Sequence, residues 1–212
     1  MNSLSYLSLI GVSWTLYFVL HSALASMRMK RWATGAAPWL ARYYRLLFNI
    51  FALLLLLPLG WLNLQWGGPS LWQWTGAGRW LSHLAFLIGV IGFFWSLRYY
   101  DGGEILGTRQ WLHGRTADVH GDFRLSPLHR FVRHPWYALL LLILWTRDMD
   151  AAGLLVTVLI NAYLVVGSHL EERKLVMAFG EPYKHYRERV PGLIPRPWKY
   201  LSAAEATKIV GR

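Results

Sequence analysis

"RHPWY", residues 133–137, sets an arginine, a histidine and a proline just ahead of the apolar run "ALLLLILWT". "HLEERK", residues 169–174, closes a second apolar run with the pair Glu171 and Glu172. Ionisable groups at a membrane edge are costly to keep, so each cluster is a functional candidate. If the two runs form a hairpin, Arg133 and His134 must come near Glu171 and Glu172. Pro135 lacks an N–H and suits the first turn of a helix, whose positive end would then face the cluster. With Arg133 and His134 this makes an anion site suited to a carboxylate or phosphate. The two glutamates suit an ammonium or a ribose hydroxyl. Trp136, Tyr137, Phe179 and Tyr183 can stack on an adenine or wall off a lipid tail. S-adenosylmethionine carries all of these groups. The plainer reading of the same five residues is an interfacial anchor, with Arg133 snorkelling to headgroups and Pro135 opening a helix.

The elements that must hold these clusters are membrane helices. The 212-residue chain is 55% hydrophobic and only 16% charged, well below the quarter usual for a soluble domain. Residues 4–25, 46–64 and 80–97 are apolar runs about long enough to cross a bilayer. Two closer stretches follow, 135–146 and 151–167, parted by "RDMD". Twelve residues of helix reach only about 18 Å, so either the fourth helix starts earlier, among the charges of "LHRFVRH", or it does not fully cross. The expectation is an all-α membrane protein forming a single domain over 1–212. It has five hydrophobic helices, the last two a tight hairpin that with the C-terminal cofactor-binding motif occupies 135–195, and a C-terminal amphipathic helix. That helix is read from Leu175, Phe179, Tyr183 and Tyr186, which recur at helical spacing among charges.

Charge gives the orientation. Of 22 Lys and Arg, all but Arg79 and Arg147 fall between the first two runs, in the segment 98–134, or after residue 171. By the positive-inside bias those parts are cytoplasmic, the N-terminus lies outside, and the net charge of +11 needs no nucleic acid. Trp66, Trp72, Trp74 and Trp80 then form an outer aromatic belt. The N-terminal run lacks a basic region and cleavage site and is read as a retained helix. There is no cysteine, hence no thiolate nucleophile or Cys-based metal site. His113, His120, His129 and His134 share a segment, but their spacing fits no ligand motif, and no metal is expected.

"RHPWY" followed by "EERKLVMAFGEPYKHYRERVPGLIP" resembles the isoprenylcysteine carboxyl methyltransferase superfamily of membrane methyltransferases. "YYDGGEILGTRQWL" and "LHSALAS" are similar to its bacterial branch of methanethiol S-methyltransferases and NnrU-like proteins. The resemblance covers residues 121–195 most strongly. It implies S-adenosyl-L-methionine bound from the cytosol, in a bacterial inner membrane. By position, His134, Pro135 and Tyr137 match the cofactor segment and Glu171 the cofactor-binding glutamate. Glu172, Phe179, Gly180, Tyr183 and Tyr186 complete the motif, and His129 is a further cofactor candidate. The segment 98–134 becomes a cytoplasmic cofactor loop, with Arg109 and Gln110 at its entrance.

One departure bears on the acceptor. The carboxyl methyltransferases place an arginine about one turn before the glutamate pair; here Gly167, Ser168 and His169 stand there. An uncompensated carboxylate is poorly held at low dielectric, so a small thiol or neutral lipophilic acceptor is favoured. Methyl transfer is a direct displacement needing alignment and a dry site, and a thiol must also lose a proton. Arg133, His134 and His169 are the catalytic candidates for that step. Two alternatives stay open: a non-catalytic accessory protein on the same scaffold, and a reductase binding NADPH through Arg124, Arg130 and Arg133.

Overall fold

The computed structural model describes residues 2–113 and 125–210. His120 and Arg124, named above, lie outside the described residues, as does the stretch 114–124 of the expected cofactor loop. The architecture is all-α, as expected. In chain order it runs α1 (Ser3–Ala25), α2 (Met27–Ala36), α3 (Leu40–Gln65), β1 (Ser70–Trp72), α4 (Gly76–Ser96), α5 (Gly102–Leu106) and α6 (Thr108–His113). A 3₁₀ turn (Pro127–Arg130) then leads into α7 (Pro135–Trp145), β2 (Met149–Asp150), α8 (Ala151–Phe179), α9 (Glu181–Arg189) and α10 (Ala203–Val210). The helices α1, α3, α4 and α8 are long and apolar enough to cross a bilayer. Their outer surfaces expose Leu53, Leu57, Trp61, Ile91 and Phe94, a hydrophobic exposure that only lipid tolerates. The protein is a multi-pass membrane protein.

The chain forms two compact units. The first comprises residues 1–73, 100–119 and 148–159. Here α1 packs on α3, and the Tyr44 hydroxyl donates to the Leu24 carbonyl (2.7 Å). Asn2 and Ser26 cap α1 and α2 by accepting from the third residue onward, the usual use of short polar side chains. Segment 98–113, read from sequence as loop, carries two short helices. Asp101 caps α5 and pairs with Arg109 (2.6 Å), while Gln110 is buried. Asn49 of α3 donates to the Ile105 and Leu106 carbonyls that end α5 (2.9 and 3.1 Å), satisfying groups the helix itself leaves open. The turn "RDMD" contributes β2, which pairs antiparallel with β1, a ribbon too short to carry any visible alternation. Trp66 lies tilted against Tyr6, with ring centroids 5.0 Å apart.

The second unit comprises residues 74–99, 120–147 and 160–212. In it α7 lies against α4. A side chain at Gly89 would collide with Ile143, its Cβ falling 2.7 Å from Cγ1; a residue without one lets membrane helices approach closely. The Trp136 indole donates to Ser96 Oγ (2.8 Å). With α7 starting at Pro135, it is only about 16 Å long, so of the two versions left open by sequence the short helix is the one found.

The amphipathic segment is not a separate helix from its start. Nothing between Ala151 and Phe179 breaks the backbone ladder, so α8 runs through the polar stretch "SHLEERK" and carries Glu171 and Glu172 on its own surface. The break comes at Gly180, with φ +59° and ψ −132°, a region that residues with a Cβ avoid. Pro182 then opens α9. Gly180→Ala is expected to cost about 1–3 kcal/mol, read as a lower melting temperature in detergent.

Beyond α9 the chain folds back as a strap over residues 126–134. The Tyr186 hydroxyl donates to the His129 carbonyl (2.7 Å). Leu201 N–H donates to the Arg130 carbonyl (2.9 Å), and Arg130 Nε returns a bond to the Leu201 carbonyl (3.0 Å). The N–H groups of Arg133 and His134 donate to the carbonyls of Pro191 (2.8 Å) and Gly192 (3.1 Å). Tyr183, Tyr186, Val190, Leu201 and Ala206 form the core beneath the strap.

Candidate active site

His134 is the N-cap of α7 and is buried. Its Nε2 lies 3.1 Å from Glu172 Oε1 and its Nδ1 3.4 Å from Glu171 Oε2. A ring with a carboxylate at each nitrogen is best satisfied as the imidazolium, with both N–H groups donating. Burial works against that charge, but the hydrogen bonds and negative charge of Glu171 and Glu172 outweigh it and raise the His134 pKa above its ordinary value. The Tyr137 ring stacks on the imidazole at 5.3 Å, and its hydroxyl points to the same Glu171 oxygen at 3.4 Å.

Arg133 is wholly engaged. Its Nε and Nη2 both reach Glu172 Oε1 (2.8 and 2.7 Å), and Nη1 donates to the carbonyls of Arg187 (2.8 Å) and Val190. The guanidinium therefore neutralises a buried carboxylate and caps the C-terminal end of α9 at once. This revises the anion-site expectation: the two cations of "RHPWY" are spent on the glutamate pair. Arg133 thus holds Glu172 in place, and the Glu172 side chain is only 11% exposed. Glu171, by contrast, leaves 49% of its side chain exposed.

The aromatic candidates divide. Tyr137 stands in the cluster. Tyr183 is 2% exposed, and burial holds its hydroxyl far above the ordinary range; Phe179 packs on the same core. Tyr183 is thus enclosed in that core, while Phe179 stays partly exposed at its edge. His129 caps the 3₁₀ turn reciprocally with Ser126, its Nδ1 accepting the Ser126 N–H at 3.1 Å. Burial, helped by the nearby charge of His134 and partly offset by Glu171, pulls the His129 pKa down to about 4. It is a neutral structural cap at physiological pH.

Beside the cluster lies a cavity of about 240 Å³. Arg133 and Glu172 form one wall, Ser168 and His169 of α8 another, and the strap from Pro191 to Arg196 the rest. His169 Nδ1 lies 2.7 Å from the Val165 carbonyl. A carbonyl only accepts, so Nδ1 carries a proton, and in the neutral ring the lone pair then lies on Nε2. Arg196 and the strap carbonyls were not singled out from sequence. "VPGLIPRPW" reads there only as a helix terminator, its Pro-Gly pair marking a turn. No metal-binding group of His, Asp and Glu occurs among the described residues.

Several known proteins are similar to this chain over more than four fifths of its length. It is 34% identical over 187 residues to methanethiol S-methyltransferase 2 of Bradyrhizobium diazoefficiens, covering 86% of this chain and 70% of that protein. It is 31% identical over 191 residues to the methanethiol S-methyltransferase of a Pseudomonas strain, with the same coverage of each chain. The chain belongs to the methanethiol S-methyltransferase family. The member from Mycobacterium tuberculosis extends the match to 92% of this chain, at 31% identity over 202 residues. No family model and no solved structure matches. As a methanethiol S-methyltransferase family member the chain is a membrane methyltransferase, in line with the resemblance drawn from "RHPWY" and "EERKLVMAFGEPY".

Proposed function

We propose that the protein transfers a methyl group from S-adenosyl-L-methionine to a small thiol at the cytoplasmic face of a bacterial inner membrane. The observation that carries this reading is the ion cluster Glu171–His134–Glu172–Arg133 set beside a small cavity that His169 lines. The thiol acceptor comes from the names of the relatives. The cytoplasmic assignment comes from the placement of the basic residues, which also puts the N-terminus outside.

The residues fit a sulfonium nucleoside in one respect and not in another. Half-exposed Glu171, with long contacts to its neighbours, has acceptor capacity left for an ammonium or ribose hydroxyls. Adenine must find its platform elsewhere than on Tyr183. S-adenosyl-L-methionine supplies an electrophilic methyl group and a neutral thioether leaving group. The chain's own part is alignment, exclusion of water and handling of one proton. His134, fixed by both glutamates, holds Glu171 in place. His169 Nε2 takes the proton of the thiol, since only the thiolate is a competent nucleophile.

Titration calorimetry of the detergent-purified protein with S-adenosylhomocysteine and, separately, NADPH tests the cofactor half of this reading. The former should bind in the micromolar range, and Glu171→Ala should weaken it at least tenfold. Binding of NADPH alone, or of neither nucleotide, would overturn the proposal. Methyl transfer to methanethiol by the wild-type protein tests the acceptor half.

A further inference from the structure

The cavity holds more than a two-heavy-atom thiol can fill. Its 240 Å³ corresponds to about eight waters at their liquid volume of ~30 Å³. It remains below the ~300–1,000 Å³ of drug-sized ligand sites, so it suits a small molecule with a short tail. The lining tells what the tail should end in. Of its two arginines, Arg133 is neutralised by Glu172 and bonded to two carbonyls. Arg196, exposed on the strap, has no ion pair or side-chain hydrogen bond among the described residues. Leu193 and Ile194 supply apolar wall to the same cavity, which His169 of α8 also lines.

The geometry points to a thiol that carries a carboxylate, a short mercapto acid, as an acceptor of this cavity, with Arg196 as its anchor. This rests on the thiol methyltransferase reading above. Arg196 lies in the strap, distant in sequence from the turn before the glutamate pair, where the carboxyl methyltransferases have their arginine. The guanidinium fork takes the carboxylate in two parallel bonds, and the methylene spacer lies along Leu193 and Ile194. The thiol end then points towards His169. The anchored carboxylate is a poor nucleophile because its charge is shared with Arg196. Sulfur is therefore the atom methylated: the thiol proton passes to His169 Nε2 and on to solvent. The sulfur lone pair forms the new S–CH₃ bond, and the old bond breaks with its electron pair going to the sulfonium sulfur of the donor.

The test compares 3-mercaptopropionate with methanethiol on the full-length protein, using S-adenosyl-L-methionine as donor. Wild type should methylate both. In Arg196→Gln the ratio of kcat/KM for 3-mercaptopropionate over methanethiol should fall tenfold or more, chiefly through KM, and Arg196→Lys should restore part of it. Calorimetric binding of 3-mercaptopropionate without donor should weaken in parallel. An unchanged ratio, or methanethiol turnover with no turnover of the mercapto acid, overturns the inference and leaves the thiol reading standing. Loss of S-adenosylhomocysteine binding in Arg196→Gln overturns it too, by assigning Arg196 to the cofactor. If neither thiol is methylated by wild type, the underlying reading falls and takes this inference with it.

Discussion

Arg133→Ala is expected to cost about 3–5 kcal/mol of stability, the usual result of stranding one member of a buried ion pair. The side chains of Arg133 and Glu172 are only 14% and 11% exposed. Without the guanidinium, a single glutamate oxygen loses two of its three close partners, and the carbonyls of Arg187 and Val190 lose their donor. Each buried polar group left unpaired carries its own desolvation cost. Thermal unfolding in detergent, followed by tryptophan fluorescence, reads the effect. Adding Glu172→Gln should recover part of the loss, because the stranded charge is then gone. Arg133→Lys should fall between, since an ammonium cannot serve a carboxylate and two carbonyls in a fixed fork. A loss below 1 kcal/mol in Arg133→Ala would mean that water reaches Glu172, and the strap would not be what closes this side of the cavity.

Much of this arrangement is written in local pattern. Apolar runs give the spans because lipid demands them, and Pro135 gives the start of α7 because a ring without an N–H fits the first turn. The meeting of "RHPWY" with "EE" follows from the hairpin between them. What could not be read is where polar residues spend their charge. Arg133 looks like an anion receptor from its neighbours, but its partners include main-chain carbonyls at 187 and 190, which every residue type carries. Polar "SHLEERK" looks like a helix end, yet a helix stops only when its backbone is broken, here at Gly180. Tyr183 and Tyr186 show the same three-residue spacing whether they stack on a ligand or pack a core. The choice was made by Val190 and Leu201, which come later in the chain and gave no signal of their own.

Stability against pH should show two limbs of opposite sign, each traceable to one histidine of the site. The hydrogen bonds and negative charge of Glu171 and Glu172 outweigh burial and raise the folded pKa of His134 above its ordinary value near 6.5. Its contribution is complete below that value and fades as pH rises through the folded pKa. His129 behaves in reverse. Its folded pKa sits at about 4, so between about 6.5 and 4 the unfolded chain takes up a proton that the folded chain refuses. Stability therefore falls as the solution is acidified through that range, by at most about 3 kcal/mol from this residue. The two together predict a melting-temperature maximum near neutral pH. The groups facing His134 are Glu171, Glu172, Arg133, Tyr137 and, at longer range, His129 itself, whose charging would also oppose that of His134. His134→Gln should flatten the alkaline limb and lower the maximum. His129→Asn, which keeps a polar cap on the 3₁₀ turn, should flatten the acid limb alone. An alkaline limb that survives His134→Gln would assign the loss to another group and leave the imidazolium bridge without energetic weight.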